Sequence, residues 1–516
     1  MKQYMGVHAV ELLNTLNLIT LYNLPLSKRS LQKKLSIKLS YLFCIPIFIA
    51  TALIFSGCQS LTPKPDDLNN RVIIPDSYHN FKDRAISQNS PNTKWWEDFG
   101  SRELNSLIEN ALGNNFTLKE SLARLKQAKA LQDSQNTALL PSLNFNASVG
   151  RRASDTSGAA GASSYGNFSA GPVASYEVDL WGKIDAKTLE YQHRTSAAQF
   201  DLESVAISVA AEISNSWVEL ITVREVMALV KEQIKTNSML LELLELRFKN
   251  SMSTALDVLQ QQEVVAKIRS RIPALEIRQA TLLNSIALLS GRASLSQIDI
   301  KTPNLGEIPA MPQAGIPSDL ISNRPDIKGA GARLTASKWA IFQARADRLP
   351  SLNLNGSFLF QHATLESLLR NWILSLASNL NATLFDAGRN RAAVDLAIGV
   401  MDERLAGYQK AIFTAIMEVE NSITSEKQRI KLIELLNAEL SIAKIALEEA
   451  HNRYIKGGDS FIQVVTEELN VQNLEINLLE QKALLFKDRI ALYRALGGRW
   501  TKGFVEQQFK KRTLKF

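Results

Sequence analysis

The amino-acid sequence predicts a mainly α-helical protein in which each chain contributes four β-strands to a membrane β-barrel. Three observations lead to this fold class. Similar landmarks recur about 200 residues apart, two segments alternate apolar and polar residues, and two long segments carry apolar residues at heptad spacing. The chain of 516 residues is therefore expected to be a tandem internal repeat, with one hairpin and one long helical rod in each copy.

The N-terminal region has the organisation of a secretory signal. Residues 39–55 are almost wholly apolar and follow a basic cluster between Lys28 and Lys38. A run of about 17 residues is at the short limit for a transmembrane helix, whereas a basic start and a short apolar core are typical of a signal peptide. We interpret residues 1–57 as this signal. The long stretch before the basic cluster indicates that translation starts downstream of Met1.

Cys58 directly follows the apolar run. Ser56-Gly57-Cys58 resembles the bacterial lipobox, in which the signal is cut before the cysteine and the cysteine is acylated, although Phe55 stands where leucine is usual. We expect a covalent lipid on Cys58, and no cofactor or metal. The alternative is a buried cysteine at the end of an anchor helix. Gln59, rather than an aspartate, is typical of sorting to the outer membrane.

Four landmarks define the two copies. They recur at shifts of 204 to 209 residues: Pro141–Asn144 with Pro350–Asn353, Leu180–Trp181 with Leu384–Phe385, Arg247–Phe248 with Arg453–Tyr454, and Leu289–Gly291 with Leu496–Gly498. The predicted organisation is a lipidated cap segment 58–100, a first repeat 101–302, a proline-rich linker 303–317, a second repeat 318–500 and a basic tail 501–516.

Each copy contains a predicted hairpin, over residues 141–181 and 350–385. The period-two alternation would also suit a surface hairpin with one solvated face. These strands, however, reach the 9–11 residues that a tilted strand needs to cross a bilayer. Four strands leave two open edges, which lipid does not tolerate. The strands therefore need partner strands, most simply from copies of the same chain.

A long heptad seam follows each hairpin. Twelve of fourteen seam positions from Leu202 to Phe248 are apolar, as are eleven of fourteen from Tyr408 to Tyr454. The 68 residues from Trp181 to Phe248 would form a helix of about 100 Å. A second helix is predicted near 254–289 and near 460–496. A structural coiled-coil lipoprotein would explain the heptads but would not need the hairpins.

The distribution of charge and the lack of catalytic motifs argue against a nucleic-acid-binding protein and against an enzyme. Most of the net charge of +8 lies in residues 1–57 and in the tail, so no nucleic-acid partner is expected. The five histidines are scattered without an HExxH pair, and no glycine-rich phosphate loop follows a strand. An enzyme is therefore not expected.

Several motifs together carry a family resemblance. In chain order they are Trp95–Phe99, Leu140–Ser142, Tyr176–Lys183, Arg247–Phe248 followed by Ala255–Val258, Ser322–Ile327, and Tyr493–Gly498. In this order they resemble the TolC-like outer-membrane efflux proteins, in particular the NodT/OprM-like lipoprotein branch that works with RND-type drug pumps. The resemblance covers roughly residues 58–500, although Arg499 interrupts the usual glycine run before Trp500.

The resemblance implies a particular assembly. The family forms a homotrimer with a twelve-stranded barrel in the outer membrane and a long α-helical barrel in the periplasm. Its partners are a periplasmic adaptor and an inner-membrane RND-type transporter. The implied function is a passive exit duct for drugs or other small molecules, opened at its periplasmic end by these partners. Outlets of type I protein secretion share the fold and remain the alternative.

The resemblance also implies a periplasmic gate closed by inward-facing acidic residues. Asp257, nine residues after Phe248, matches such a position. A ring of three carboxylates would repel itself and favour cations. The alternative is a solvated aspartate that the helix dipole favours. The corresponding positions of the second copy hold Gln463 and Thr466, so the gate is expected to be less charged than in relatives.

Two further motifs are interpreted as structural. Trp95 and Trp96 are expected to pack a cap on the helical body rather than to bind a ligand. Arg324-Pro325-Asp326 is expected to order the start of a helix, because proline is favoured in the first helical turn.

Overall fold

The computed structural model describes residues 75, 77–79, 94–154, 163–293, 300–312, 316–497, 499–501 and 503–504. The predicted signal peptide, Cys58 and nearly all of the basic tail lie outside these residues. The helices are α1 Arg102–Asn114, α2 Phe116–Asn136, α3 Lys183–Lys249, α4 Ala255–Arg269, α5 Arg271–Leu289, α6 Asp319–Asn323, α7 Pro325–Ala346, α8 Arg389–Ile455 and α9 Phe461–Leu496. The strands are β1 Ser142–Ser154, β2 Ser163–Val178, β3 Ser351–His362 and β4 Trp372–Asn381.

The order of elements repeats along the chain. Each copy runs from shorter helices into a β-hairpin, then into a helix of 67 residues, and then back along a second helical segment. At 1.5 Å per residue, α3 and α8 are each about 100 Å long, which confirms the predicted rods. The two copies pack against each other through α7, which contacts both long helices, and through α9, which contacts α3, α4 and α8.

The heptad seams become the buried faces of the rods. Ten of the fourteen seam positions of α3 are buried, and Phe248 at its end is exposed. The polar positions that interrupt the seams have specific partners. In α3, Asn237 accepts a hydrogen bond from the Gln261 amide at 3.0 Å. In α8, Arg429 pairs with Asp488. Such pairs fix the register of packed helices at a cost in stability.

The most deeply buried ion pair in the described part of the chain joins α8 to α9. Glu426 and Arg489 are 0% and 2% exposed, and Arg489 Nε donates to Glu426 Oε2 at 3.0 Å. The same guanidinium also donates to the carbonyl oxygens of Pro309 and Ala310. One buried arginine therefore connects α8 and α9 to residues 300–312, which have no regular secondary structure.

The second helical segment of the first copy differs from the expectation. The sequence predicts one helix near 254–289, but the structure divides it at Ser270 into α4 and α5. Pro273 lies in the first turn of α5 and has no backbone N–H to donate to the Arg269 carbonyl, so the helix breaks before it. The equivalent α9 has no proline and is continuous over 36 residues.

The four strands form one antiparallel sheet in the order β1-β2-β3-β4. The first hairpin pairs Ser142 with Ser175, and the second pairs Ser351 with Asn381. The two hairpins join where β2 pairs with β3, for example Tyr176 with Leu354. The strands contain 13, 16, 12 and 10 residues, enough to cross a bilayer. Within the described residues, β1 and β4 each keep one edge without a partner strand.

The register separates the sheet into an apolar face and a polar face. The apolar face carries large exposed side chains, among them Phe145, Val149 and Leu376, which are at least 72% exposed. Toward the far end of the strands it holds an aromatic group in which the Phe358 and Trp372 rings stack at 5.7 Å. An apolar band with aromatic residues near its border is the pattern of a lipid-facing barrel surface.

The end of the second hairpin is shorter than expected. The alternation predicts a return strand as far as Leu384, but β4 ends at Asn381, and Leu384 and Phe385 are exposed in the following turn. Asp386 stabilises this turn by accepting hydrogen bonds from the backbone N–H groups of Gly388 and Asn390, both at 2.9 Å. The carboxylate thus orders the start of α8.

Both motifs interpreted as structural have packing roles. Trp95 and Trp96 are buried in a short 3₁₀-helix, where Trp95 stacks on Tyr493 at 5.3 Å and Trp96 contacts Trp500 edge-on. Arg324 precedes α7 and pairs with Asp326 at 2.7 Å and with Glu418 of α8 at 2.6 Å. The expected helix start is confirmed, and the arginine additionally connects it to the long helix.

Removal of the Glu426 carboxylate is expected to destabilise the protein strongly. Glu426→Ala leaves the buried Arg489 without its carboxylate, which costs about 3–5 kcal/mol in other proteins. The matched control is Glu120→Ala, which breaks an exposed pair with Arg124 and should cost less than about 1 kcal/mol. Thermal melting followed by far-ultraviolet circular dichroism measures both, and equal melting temperatures for the two variants would refute the structural role of this pair.

Candidate channel gate

Each long helix ends, on the side away from the sheet, in a turn that connects it to the next helix. One such turn joins α3 to α4, and the other joins α8 to α9. Ser251 has a φ of 58° and Gly457 a φ of 74°, so each long helix ends in the left-handed region. In both turns the following backbone N–H donates back to a carbonyl of the last helical turn at 2.8 Å. This pattern ends a helix and redirects the chain, so α4 and α9 return alongside the rods.

Asp257 lies in the first turn of α4 and caps it. Its Oδ2 accepts the Thr254 backbone N–H at 3.0 Å, and the Thr254 hydroxyl accepts the Asp257 N–H at 3.2 Å. This reciprocal capping box stabilises the helix start. The sequence leaves open, as the alternative to a gate residue, an aspartate at a helix N-terminus. Asp257 does occupy such a position in the structure.

The Asp257 carboxylate also connects the two copies. Tyr454, near the end of α8, donates its hydroxyl to Asp257 Oδ2 at 3.3 Å. The Arg247 guanidinium lies 5.3 Å from the centre of the Tyr454 ring, a cation–π arrangement. The buried Phe461 ring also packs against Tyr454, at 5.2 Å between ring centres. We call Arg247, Asp257 and Tyr454 the tip cluster.

Electrostatics keep the Tyr454 phenol protonated. Burial raises the pKa of Tyr454, the negative charge of Asp257 raises it further, and the positive charge of Arg247 partly opposes the shift. A protonated phenol can donate to the carboxylate, whereas a phenolate would repel it. The hydrogen bond between the copies is therefore intact at neutral pH.

A second connection between the copies lies further up the rods. Asn237 is ten residues before Arg247 along α3, about 15 Å of helix. Its amide donates to Glu468 of α9 at 3.4 Å, and Gln472 donates to the same carboxylate oxygen at 2.6 Å. The tip is thus held to the second copy by two polar contacts, with an apolar cluster between them.

Gln463 and Thr466 occupy different positions from Asp257. Both are exposed in the first turns of α9, and the Thr466 hydroxyl donates to the carbonyl of Ile462 at 2.8 Å. Among the described residues, no hydrogen bond joins either of them to Asp257. The turn between α8 and α9 does contain a carboxylate, Asp459, which the sequence pattern does not single out. It pairs with Arg453 at 2.9 Å.

Sequence reasoning found Asp257 but not its two partners. In the sequence, Arg247 and Tyr454 stand out only because they belong to the repeated landmarks. The signal that could have identified Tyr454 is its difference from the equivalent Phe248, since only the second copy has a hydroxyl at this position. The contact itself spans 197 residues, so no local pattern predicts it.

Membrane-spanning helices and metal clusters are both absent from the part of the chain that the structure describes. No helix in the described ranges is both long enough and apolar enough to cross a membrane. In the same ranges, no group of three or more histidine, cysteine, aspartate or glutamate side chains is placed to hold a metal ion.

Comparison with known proteins decides the family. The family model described as "Outer membrane efflux protein" matches residues 107–292 and 316–498. The chain belongs to the outer membrane efflux protein family. This confirms the resemblance seen in the sequence, and the family consists of channel proteins rather than enzymes.

Individual relatives agree with this assignment. The pyoverdine export outer membrane protein OpmQ of Pseudomonas aeruginosa is 30% identical over 466 residues, which cover 88% of this chain and 96% of the relative. The outer membrane protein OprJ of the same organism is 29% identical over 421 residues, covering 79% of this chain and 87% of OprJ.

Solved structures show the same fold. The outer-membrane channel OprN superposes with a TM-score of 0.78 at 24% identity, covering 85% of this chain and 98% of OprN. The outer membrane channel CmeC of Campylobacter jejuni superposes with a TM-score of 0.76 at 22% identity, covering 88% of this chain and 98% of CmeC. The predicted fold of the chain is confirmed: long helices plus four antiparallel strands per chain. The protein is an outer-membrane efflux channel.

Loss of the Tyr454 hydroxyl is expected to raise single-channel conductance in planar bilayers. Tyr454→Phe removes the hydrogen bond between the copies but leaves the ring packing and the cap of α4 intact. Asp257→Ala should raise conductance as well, but it also removes a helix cap worth about 1 kcal/mol. The matched control is Tyr493→Phe, which removes another tyrosine–aspartate hydrogen bond, to Asp98 at 2.8 Å in the helical body. A conductance rise of equal size in the control would refute the role of the tip cluster.

The same contact predicts a rise in conductance at alkaline pH. The raised pKa means that the contact is fully present below the ordinary tyrosine value of about 10 and is lost as the pH rises through the native value. Conductance of the unmodified channel should therefore increase above about pH 10. Tyr454→Phe should lack this increase, and an identical alkaline rise in the variant would contradict the assignment to Tyr454.

Proposed function

We propose that three copies of this chain form the exit duct of a tripartite efflux system. The observation that carries the proposal is the four-stranded sheet with two open edges, continuous with two helices of 67 residues. Since open edges are not tolerated in lipid, β1 of one copy pairs with β4 of the next. Three copies supply twelve strands, and the rods beneath them enclose a tube in the periplasm.

The partners follow from the position of the tube. Its periplasmic end meets a periplasmic adaptor, which connects it to an inner-membrane RND-type transporter that supplies the energy. The duct itself is passive. The tip cluster keeps the periplasmic end closed, with Asp257 as the acidic position and with Gln463 and Thr466 as uncharged neighbours in the second copy. The adaptor and the transporter open it by separating the copies at this end.

The cargo is a small molecule rather than a protein. The names of the relatives support this class, since they describe export of pyoverdine and efflux of solvents and toluene. The chain covers nearly the full length of these relatives, at 96% and 89%. Drugs, solvents and siderophores are therefore the substrates to test first. The transporter, which takes up the cargo, sets the choice among them.

The N-terminal region delivers the channel to its membrane. In this proposal residues 1–57 are the signal, Cys58 carries the covalent lipid, and 58–100 lead into the helical body. The repeats 101–302 and 318–500, joined by the linker 303–317, form the duct, and 501–516 are a basic tail. Because twelve strands already anchor the trimer, the lipid on Cys58 would serve sorting and assembly rather than transport.

Efflux is tested by restoring a strain that lacks such channels. Cells carrying the cognate adaptor and transporter should accumulate less ethidium when this chain is added, and fluorescence measures the difference. Cells with this chain but without the transporter are the control and should accumulate as much as the starting strain. Unchanged accumulation, with heat-modifiable trimers present in the outer membrane, would overturn the proposed function.

Lipidation is tested separately. Cys58→Ser should abolish incorporation of an alkyne-labelled palmitate, because serine has no sulfur to take the lipid. Once trimers have formed, efflux per trimer should stay within about twofold, since the strands provide the membrane contact. Unchanged labelling of the variant would rule out acylation at Cys58.

A further inference from the structure

The polar face of the sheet contains six asparagines close to the helical rods. They are Asn144 and Asn146 in β1, Asn353 and Asn355 in β3, and Asn379 and Asn381 in β4. The strand register places all six on the same face, opposite the apolar one, with Asn353 directly beside Asn379. In a closed barrel the apolar face contacts lipid, so these amides face the lumen.

The asparagines lie within one half of the barrel. The rods attach at the starts of β1 and β3 and at the ends of β2 and β4. Every one of the six is within five residues of this attachment end. Successive residues on one face are about 6.6 Å apart, so each of the six amides lies within about 17 Å, measured along its strand, of the base of the barrel. We call them the amide girdle.

Within the described chain the six amides make no side-chain hydrogen bonds, whereas two pairs of serines on this face are hydrogen-bonded. Across β1 and β2, Ser142 lies 2.9 Å from Ser175, and Ser148 lies 2.8 Å from Ser169, in both cases between hydroxyl oxygens. None of the six asparagine side chains makes a hydrogen bond to another described residue of the chain. Each therefore presents a donor group and an acceptor group to the lumen.

Fixed charge is nearly absent from this region. The strand segments 143–150, 167–176 and 352–361, and the whole of β4, contain no aspartate, glutamate, lysine or arginine. Glu177, at the attachment end, is paired with Lys183 at 3.2 Å. A solute in the girdle therefore encounters dipoles rather than net charge, and carbonyl and N–H groups on the solute find matching partners whatever the charge of the solute.

We propose that the amide girdle is a weak binding site for solutes rich in amide and hydroxyl groups, independent of their net charge. It holds such a solute transiently after it leaves the helical tube and before it reaches the exterior. The site rests on the proposed trimeric duct, because only a closed barrel brings the amides of three chains around one lumen. Charge discrimination is then confined to other parts of the channel, such as the tip cluster.

The orientation of the girdle is tested by cysteine modification. In planar bilayers, a water-soluble methanethiosulfonate reagent should reduce the current of Asn353→Cys. The matched control is Leu352→Cys, one residue away on the apolar face, where the reagent should leave the current unchanged. Equal sensitivity of the two variants would place the asparagines outside the lumen and would overturn the proposal.

Binding is tested with three peptide probes of one size added on the extracellular side: N-acetyl-triglycinamide, the cationic triglycinamide and the anionic N-acetyl-triglycine. All three should block the current transiently. The double variant Asn353→Ala/Asn379→Ala should weaken each block by a similar factor of about two- to tenfold, as expected for the loss of one or two hydrogen bonds. The control Ser148→Ala/Ser169→Ala removes a paired couple on the same face and should leave the block within about twofold of the unmodified channel.

The outcomes separate this proposal from the proposed function. Unchanged block in the asparagine variant, or a change for only one of the charged probes, overturns the girdle while the conductance itself still supports the duct. Absence of any conductance from well-formed trimers overturns the duct, and the girdle with it.

Discussion

The constraint on which the structure depends is that lipid cannot hydrogen-bond a peptide group. A sheet of four strands crossing the membrane has two edges with unpaired N–H and C=O groups, and the part of the chain that the structure describes has no further strand to cover them. The chain must therefore join copies of itself. Because each hairpin is continuous with a long helix, closing the barrel also arranges the helices in a ring. The membrane requirement thus determines the architecture of the periplasmic part as well.

Polar contacts within the helical body are unevenly distributed, and the distribution suits a tube that opens at one end. In the middle of the body, the buried Glu426–Arg489 pair connects two helices and the carbonyls of residues 309–310. At the tip, the copies are connected by the half-buried hydroxyl of Tyr454 and by the amide of Asn237. A single neutral donor is easier to separate from its acceptor than a buried ion pair is. The contacts that join the copies at the tip are therefore weaker than the buried ion pair of the body.

Much of the fold was predictable because it depends on periodicity. Strand alternation identified both hairpins. The heptad seams identified both rods and stop within one residue of their C-terminal ends, although they begin only at Leu202 and Tyr408, 19 residues after the helices start. The errors occur where a single residue overrides the pattern. Pro273 breaks the second helix of the first copy. β4 ends at Asn381 although the alternation continues to Leu384, and Asp386 then orders the start of the next helix. Asp257 was predicted from its position after Phe248, but Tyr454 was not.

The sequence by itself determined the fold class, the number of strands, the length of the rods and the family. These properties are carried by local periods and by ordered motifs, which are readable along the chain. Only the tertiary structure decided which polar residues meet: Tyr454 with Asp257, Glu426 with Arg489, and the asparagines of three strands on one face. Those contacts join residues far apart in the chain, so their geometry depends on how whole helices and strands pack, and no local pattern encodes it.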